Sequence, residues 1–187
     1  MDAVGSKRAT LFGYSEGGPM CCWFATAFAE RTEGLILVGS YATIQPRPGH
    51  PFGRDAQTQQ AMVNATKRDW GSAVLLETRA PSVADDEAFA RWWKRYLRMS
   101  ASPASAVALT EMAYDIDVRS ILPEIRVPTL IMHADKDLSV PYACGKFLAE
   151  NIPGATFVTL DTQDHLPYVG APEAIHQGIQ EFLNRSG

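Results

Sequence analysis

A chain of 187 residues, 46% hydrophobic and 20% charged, has the size and make-up of one globular domain, or of one domain with a small appendage. Its 17 Lys+Arg against 21 Asp+Glu leave a net charge of −4, which argues against a nucleic-acid or anionic-membrane surface, since either needs a basic face. No apolar run approaches the length of a membrane span, and 3 cysteines, two of them adjacent (Cys21, Cys22), make neither a disulfide framework nor a zinc-ligand spacing. The segment from Met1 to Arg8 lacks the apolar core of a signal peptide, so a reduced, cytoplasmic protein without metal or cofactor is expected.

In chain order, Arg8-Ala9-Thr10-Leu11-Phe12 reads as a short buried strand, followed by the sharp turn Gly13-Tyr14-Ser15-Glu16-Gly17-Gly18. From Pro19 to Arg31 the apolar spacing is helical, with Pro19 suited to the first turn and Gly34 expected to close the helix. Leu35-Ile36-Leu37-Val38 is a second buried strand, so the pattern is strand, helix, parallel strand with a right-handed crossover. Beyond Ile44 a proline-rich exit, Gln45-Pro46-Arg47-Pro48-Gly49-His50-Pro51, leads into three or four helices. The clearest runs from about Ala84 to Met99, with Ser82, Asp85 and Asp86 as capping candidates. Its Phe89, Trp92, Trp93, Tyr96 and Leu97 form one wide apolar face. Ser102-Pro103 opens another helix, as cap and first residue. The sheet pattern resumes at Val127 to Met132, a helix follows from Tyr142 to Glu150, Thr156 to Leu160 is a fourth strand, and Pro172 to Asn184 a closing helix. The expected architecture is α/β, with core segments 1–44 and 123–187 around a helical insert at 45–122 placed to cover a site.

Gly13-Tyr14-Ser15-Glu16-Gly17 matches GxSxG, between a buried strand and a helix. Glycines flanking the serine are expected because side chains there would collide with neighbouring strand and helix. Such a turn projects a hydroxyl at the positive end of a helix dipole. The bland alternative is a glycine-rich turn whose Ser15 merely caps the helix. A serine needs a base, and a neutral imidazole is the usual one. Of the four histidines, His50 lies in the proline-rich exit, His133 ends a strand in a structural setting, and His176 lies on a polar face of the last helix. His165, just past the fourth strand, falls at the same sheet edge as Ser15. The base needs an acceptor, and the loop His133-Ala134-Asp135-Lys136-Asp137-Leu138-Ser139-Val140-Pro141 offers two. Asp137 is preferred because it lies deeper in the loop, with Asp135 as the alternative. The order Ser15, Asp137, His165 suits an open α/β sheet.

These segments, together with Leu11 to Met20, Val127 to His133 and Asp164-His165-Leu166-Pro167, resemble the α/β-hydrolase family over nearly the whole chain. The likeness is strongest to hydrolase domains that precede class III adenylate cyclase domains in bacterial multidomain proteins. The resemblance implies Ser15 as nucleophile, Asp137 as acid, His165 as base and the Glu16 backbone N–H as one oxyanion donor. Ala134 stands where the family often has Gly. The family also carries several strands ahead of the nucleophile strand, so a truncated fold with a parallel sheet of about four strands is expected. An open edge on the first strand is then expected to pair with a second copy or a partner chain, and the second oxyanion donor would have to come from elsewhere. The implied activity is hydrolysis of a small ester or acyl substrate. The alternative is a ligand-sensing or regulatory module with negligible turnover, and a third reading keeps the triad for carbon–carbon hydrolysis or perhydrolysis. The aromatic stripe with Trp70 is either an acyl pocket or core.

Overall fold

The computed structural model describes residues 1–186. The four apolar runs form parallel strands, β1 (Ala9–Tyr14), β2 (Thr32–Val38), β3 (Thr129–Ala134) and β4 (Thr156–Leu160), in the spatial order β1-β2-β3-β4. Seven α-helices accompany them among the described residues: α1 (Gly17–Ala27), α2 (Ala56–Asp69), α3 (Leu76–Arg79), α4 (Glu87–Ser100), α5 (Pro103–Asp115), α6 (Tyr142–Asn151) and α7 (Pro172–Ser186). Successive side chains of a strand point to opposite faces, so an unbroken apolar run needs cover on both. Leu35 and Leu37 of β2 and Ile131 of β3 pack with Cys22 and Ala25 of α1 and Leu148 of α6. Their neighbours Ile36, Val38, Leu130 and Met132 pack on the other face against Ile175 and Phe182 of α7. The four parallel strands, covered by helices on both faces, make the α/β sheet that the sequence pattern leads one to expect.

Several boundaries differ from expectation, and the helix ends that differ most are the end of α1 and the start of α4. Helix α1 stops at Ala27, where the Phe28 N–H donates to Phe24 O at 2.8 Å, and a 3-10 turn at Ala29–Arg31 leads directly into β2. Gly34 therefore lies inside β2, opposite Thr10, rather than at a helix end. A local and a distant contact hold this segment: the Thr32 hydroxyl donates to Phe28 O at 3.1 Å, and Arg31 reaches back to the Asp2 carboxylate at 2.5 Å. Helix α4 begins at Glu87, since the Asp86 carboxylate accepts from the N–H groups of Ala88 and Phe89 at 2.7 and 3.1 Å. Ser82 has a different task, its N–H donating to Asp164 at 3.0 Å. At α5 the Ser102 hydroxyl accepts from Ser105 N–H at 3.1 Å with Pro103 at the first position, as the sequence suggests.

The helices between β2 and β3 are tied to the core at the carboxyl ends of the strands. The His165 and Leu166 N–H groups donate to Arg79 O at 2.9 and 3.0 Å, and the Ser139 hydroxyl donates to Thr78 O at 2.9 Å. At the opposite limit of the sheet, β1 pairs with β2 alone among the described residues. Phe12 of β1 is 49% exposed, and Met20 and Trp23 of α1 are 68% and 55% exposed. No helix among the described residues is long and apolar enough to cross a membrane.

Candidate active site

Ser15 occupies the turn between β1 and α1 with φ 51°, a left-handed conformation that costs a non-glycine residue about 1–2 kcal/mol. The surroundings hold it there: its N–H donates to Val38 O at 3.0 Å, and its own carbonyl accepts from the buried Ser40 hydroxyl at 2.9 Å. Two glycines allow the close approach. A Cβ on Gly13 would lie 2.7 Å from Gly18 Cα, and one on Gly18 would lie 1.7 Å from Ser40 Oγ. Gly17, the last residue of the pentapeptide, faces open space, with nothing within 4 Å of a Cβ there. The steric requirement expected of Gly17 thus belongs to its neighbour Gly18. The bland alternative for Ser15 also fails, since Glu16 is the N-cap residue of α1 and Ser15 directs its hydroxyl elsewhere.

That hydroxyl lies 3.0 Å from Nε2 of His165, whose Nδ1 lies 2.7 Å from Oδ2 of Asp137. A carboxylate only accepts, so Nδ1 carries the proton and Nε2 presents its lone pair to the Ser15 O–H. Oδ1 of Asp137 accepts from the N–H groups of Ser139 and Val140 at 2.7 and 2.9 Å. The Asp137 side chain is fully buried. Its alternative, Asp135, does not reach the imidazole: its carboxylate stands 3.8 Å from Lys136 Nζ, and its N–H donates to Leu160 O. Beneath the imidazole, Gly39 adopts φ 54°, where an added Cβ would come within 3.1 Å of the His165 ring. The Tyr14 ring packs 4.9 Å from that imidazole, and burial raises the Tyr14 phenol above its usual range.

The other histidines stand apart from this relay or support it. His133 is fully buried and donates from Nε2 to Val140 O at 2.9 Å, with the same nitrogen 3.7 Å from Oδ2 of Asp137. Burial lowers its pKa from the usual value, and its bond to Val140 O braces the Asp137 loop. His50 is buried against Phe52 and Phe147, and His176 is exposed. Cys22 is buried with its thiol pushed up to about 12, while Cys21 beside it is partly exposed.

Ser15 and His165 open onto a cavity of about 290 Å³ roofed by α2, α4 and α5. The aromatic stripe divides there. Trp70 and Tyr96 line the cavity, Trp93 is core among Leu76, Leu97 and Leu166, and Trp92 is 43% exposed. Two further lining residues, Arg54 and Arg79, have no counterpart in any motif. Neither sits in a periodic or glycine-rich pattern, and their convergence is set by how the helices fold back over the sheet.

The chain is similar to known proteins. Residues 1–172 match the family profile described as alpha/beta hydrolase fold. The chain belongs to the α/β-hydrolase family. A strigolactone esterase of Arabidopsis thaliana is 33% identical over 186 residues, covering 99% of this chain and 69% of that protein. A pimeloyl-[acyl-carrier protein] methyl ester esterase of Neisseria meningitidis is 24% identical over 187 residues, covering 97% of this chain and 73% of that protein. Among solved structures, an esterase from Exiguobacterium antarcticum superposes with a TM-score of 0.84 at 24% identity, over 98% of this chain and 69% of the other. A bromoperoxidase from Bacillus anthracis gives 0.86 at 22% identity, over 98% and 70%. This α/β hydrolase spans between 60% and 73% of the length of the curated relatives it matches.

Proposed function

We propose that the protein is a serine hydrolase that cleaves carboxylic esters with Ser15, His165 and Asp137. The observation that carries this reading is the unbroken relay from the Ser15 hydroxyl through both nitrogens of His165 to Asp137, at 3.0 and 2.7 Å. Ser15 Oγ attacks the ester carbonyl while His165 Nε2 takes its proton. The imidazolium so formed is stabilised by Asp137, whose burial excludes water from the pair. His165 then protonates the departing alkoxide, leaving an acyl-Ser15. Water, activated by the same imidazole, clears the acyl group and restores the enzyme. The Glu16 N–H, at the start of α1 directly after the nucleophile, is the oxyanion donor in this scheme. Relatives named as esterases support the choice of ester among acyl substrates.

Hydrolysis of a p-nitrophenyl ester by the purified chain, compared with Ser15→Ala and His165→Ala, tests the reading. Both substitutions should reduce turnover by at least about 10³-fold. Full activity in either variant contradicts the assignment, and a folded wild-type chain with no turnover favours a ligand-sensing role instead.

A further inference from the structure

Of the twelve arginines, Arg31, Arg68, Arg91 and Arg119 lie 2.5, 2.6, 3.4 and 2.8 Å from Asp2, Asp69, Glu87 and Asp117, and most of the others stand in solvent away from the site. Arg54 and Arg79 line the cavity above Ser15, and neither has a carboxylate within 4 Å among the described residues. Nε of Arg54 is buried without a hydrogen-bond partner, and its guanidinium otherwise contacts the Met62 sulfur, a weak acceptor. Burial lowers the Arg54 pKa, and the like charge of Arg79 lowers it further. The Glu16 carboxylate faces the same cavity but is exposed, and it acts on Arg54 only from beyond ion-pair distance. Arg79 stands 5.9 Å from the centroid of the Trp93 ring. Its carbonyl is bound by the N–H groups of His165 and Leu166, which fixes its backbone relative to the imidazole.

Two cations placed together without a counter-ion repel each other and lose hydration, and an anionic ligand relieves both costs. A guanidinium binds a carboxylate through paired N–H bonds. The walls of the same cavity include the apolar residues Leu97, Leu109 and Ala113, which suit a short methylene chain. The volume of about 290 Å³ lies at the small end of ligand sites.

We propose that the substrate is a small ester bearing a free carboxylate, such as a monoester of a short dicarboxylic acid, with Arg54 and Arg79 holding the carboxylate while Ser15 attacks the ester. This rests on the ester-hydrolase reading above. In the reaction the Ser15 Oγ–acyl bond forms and the ester C–O bond breaks, the alcohol leaving with the proton from His165. Water then cleaves the acyl-serine to release the dicarboxylate, and neither guanidinium changes its protonation.

The test compares kcat/KM for monomethyl glutarate with that for methyl 5-methylhexanoate, in which an isopropyl group replaces the carboxylate at similar size. Wild type should favour the charged ester by about tenfold or more, and Arg54→Met and Arg79→Met should each lower that ratio about tenfold. Because a ratio is read, partial misfolding of a variant does not mimic the result, and Arg54→Lys should keep part of the preference. A ratio near one in wild type, or equal losses on both esters in the arginine variants, overturns the proposal. Calorimetry of glutarate binding to Ser15→Ala separates the site from the chemistry. Binding that is lost on adding Arg54→Met supports the anion site even if wild type turns over neither ester, a result that would remove the hydrolase reading alone. Absence of glutarate binding, or preference for inorganic phosphate over glutarate, overturns the carboxylate assignment.

Discussion

Asp137 shows how one buried carboxylate serves two ends: Oδ2 orients His165, and Oδ1 accepts two backbone N–H groups that close its loop. Asp137→Asn keeps the shape but allows the amide to donate where it must accept, so the imidazole loses the tautomer that takes the Ser15 proton. Ester turnover should fall by about 10³–10⁴-fold, while Asp135→Asn should stay within a few-fold of wild type, both read as kcat/KM. Similar losses in both variants would contradict the geometry. A second consequence concerns pH. His50 and His133 are buried with pKa values lowered from 6.5, chiefly by desolvation. The folded protein therefore binds fewer protons at these sites than the unfolded chain, and stability should fall as pH drops through about 6.5, the unfolded-state value. The melting temperature should be lower at pH 5.5 than at pH 7.5. His50→Phe, which suits a ring packed 5.1 and 4.7 Å from Phe52 and Phe147, should flatten that dependence. An unchanged slope in this variant would contradict the account. At this scale Ser15, Asp137 and His165 were legible because each stands beside a strand end with a motif around it. Arg54 and Arg79 were not, since their meaning lies in a cavity that forms only when distant helices close over the sheet.

At the scale of elements, the strand–turn–helix around Ser15 was readable as a unit, but not which glycine it depends on. The collision at position 18 is with Ser40 Oγ, on the loop after β2, and no local pattern reports it. Gly18→Ala should therefore destabilise by about 1–3 kcal/mol or more, from overpacking against Ser40. Gly17→Ala, in the first turn of α1 with open space around it, should be neutral or stabilising by up to about 1 kcal/mol. Denaturant unfolding of the two variants separates these outcomes, and equal destabilisation would contradict the steric argument. The end of α1 also lies ahead of Gly34. Gly34 is a plausible helix terminator by composition, yet the Thr32 and Arg31 contacts start β2 ahead of it.

For the whole molecule, strand order and the parallel sense of the sheet follow from the alternation of apolar runs and helices. The attachment of the middle helices to His165 through the Arg79 carbonyl has no sequence signal. Among the described residues β1 pairs with β2 alone, and its other edge lies beside exposed Phe12, Met20 and Trp23. We propose that a second copy of the chain covers this edge, as expected of an apolar strand left open. Light scattering across a concentration series should show mass rising above that of one chain, and Phe12→Lys should shift it back. A monodisperse monomer throughout the series would contradict this.

Catalysis of the kind proposed depends on Ser15 being an activated nucleophile. Incubation with a fluorophosphonate, followed by intact-mass and peptide analysis, tests this most directly. The prediction is one label per chain, on the peptide bearing Ser15, with labelling abolished in Ser15→Ala and suppressed in His165→Ala. A folded wild-type chain that takes no label, or a Ser15→Ala chain that takes it as readily, would contradict the account.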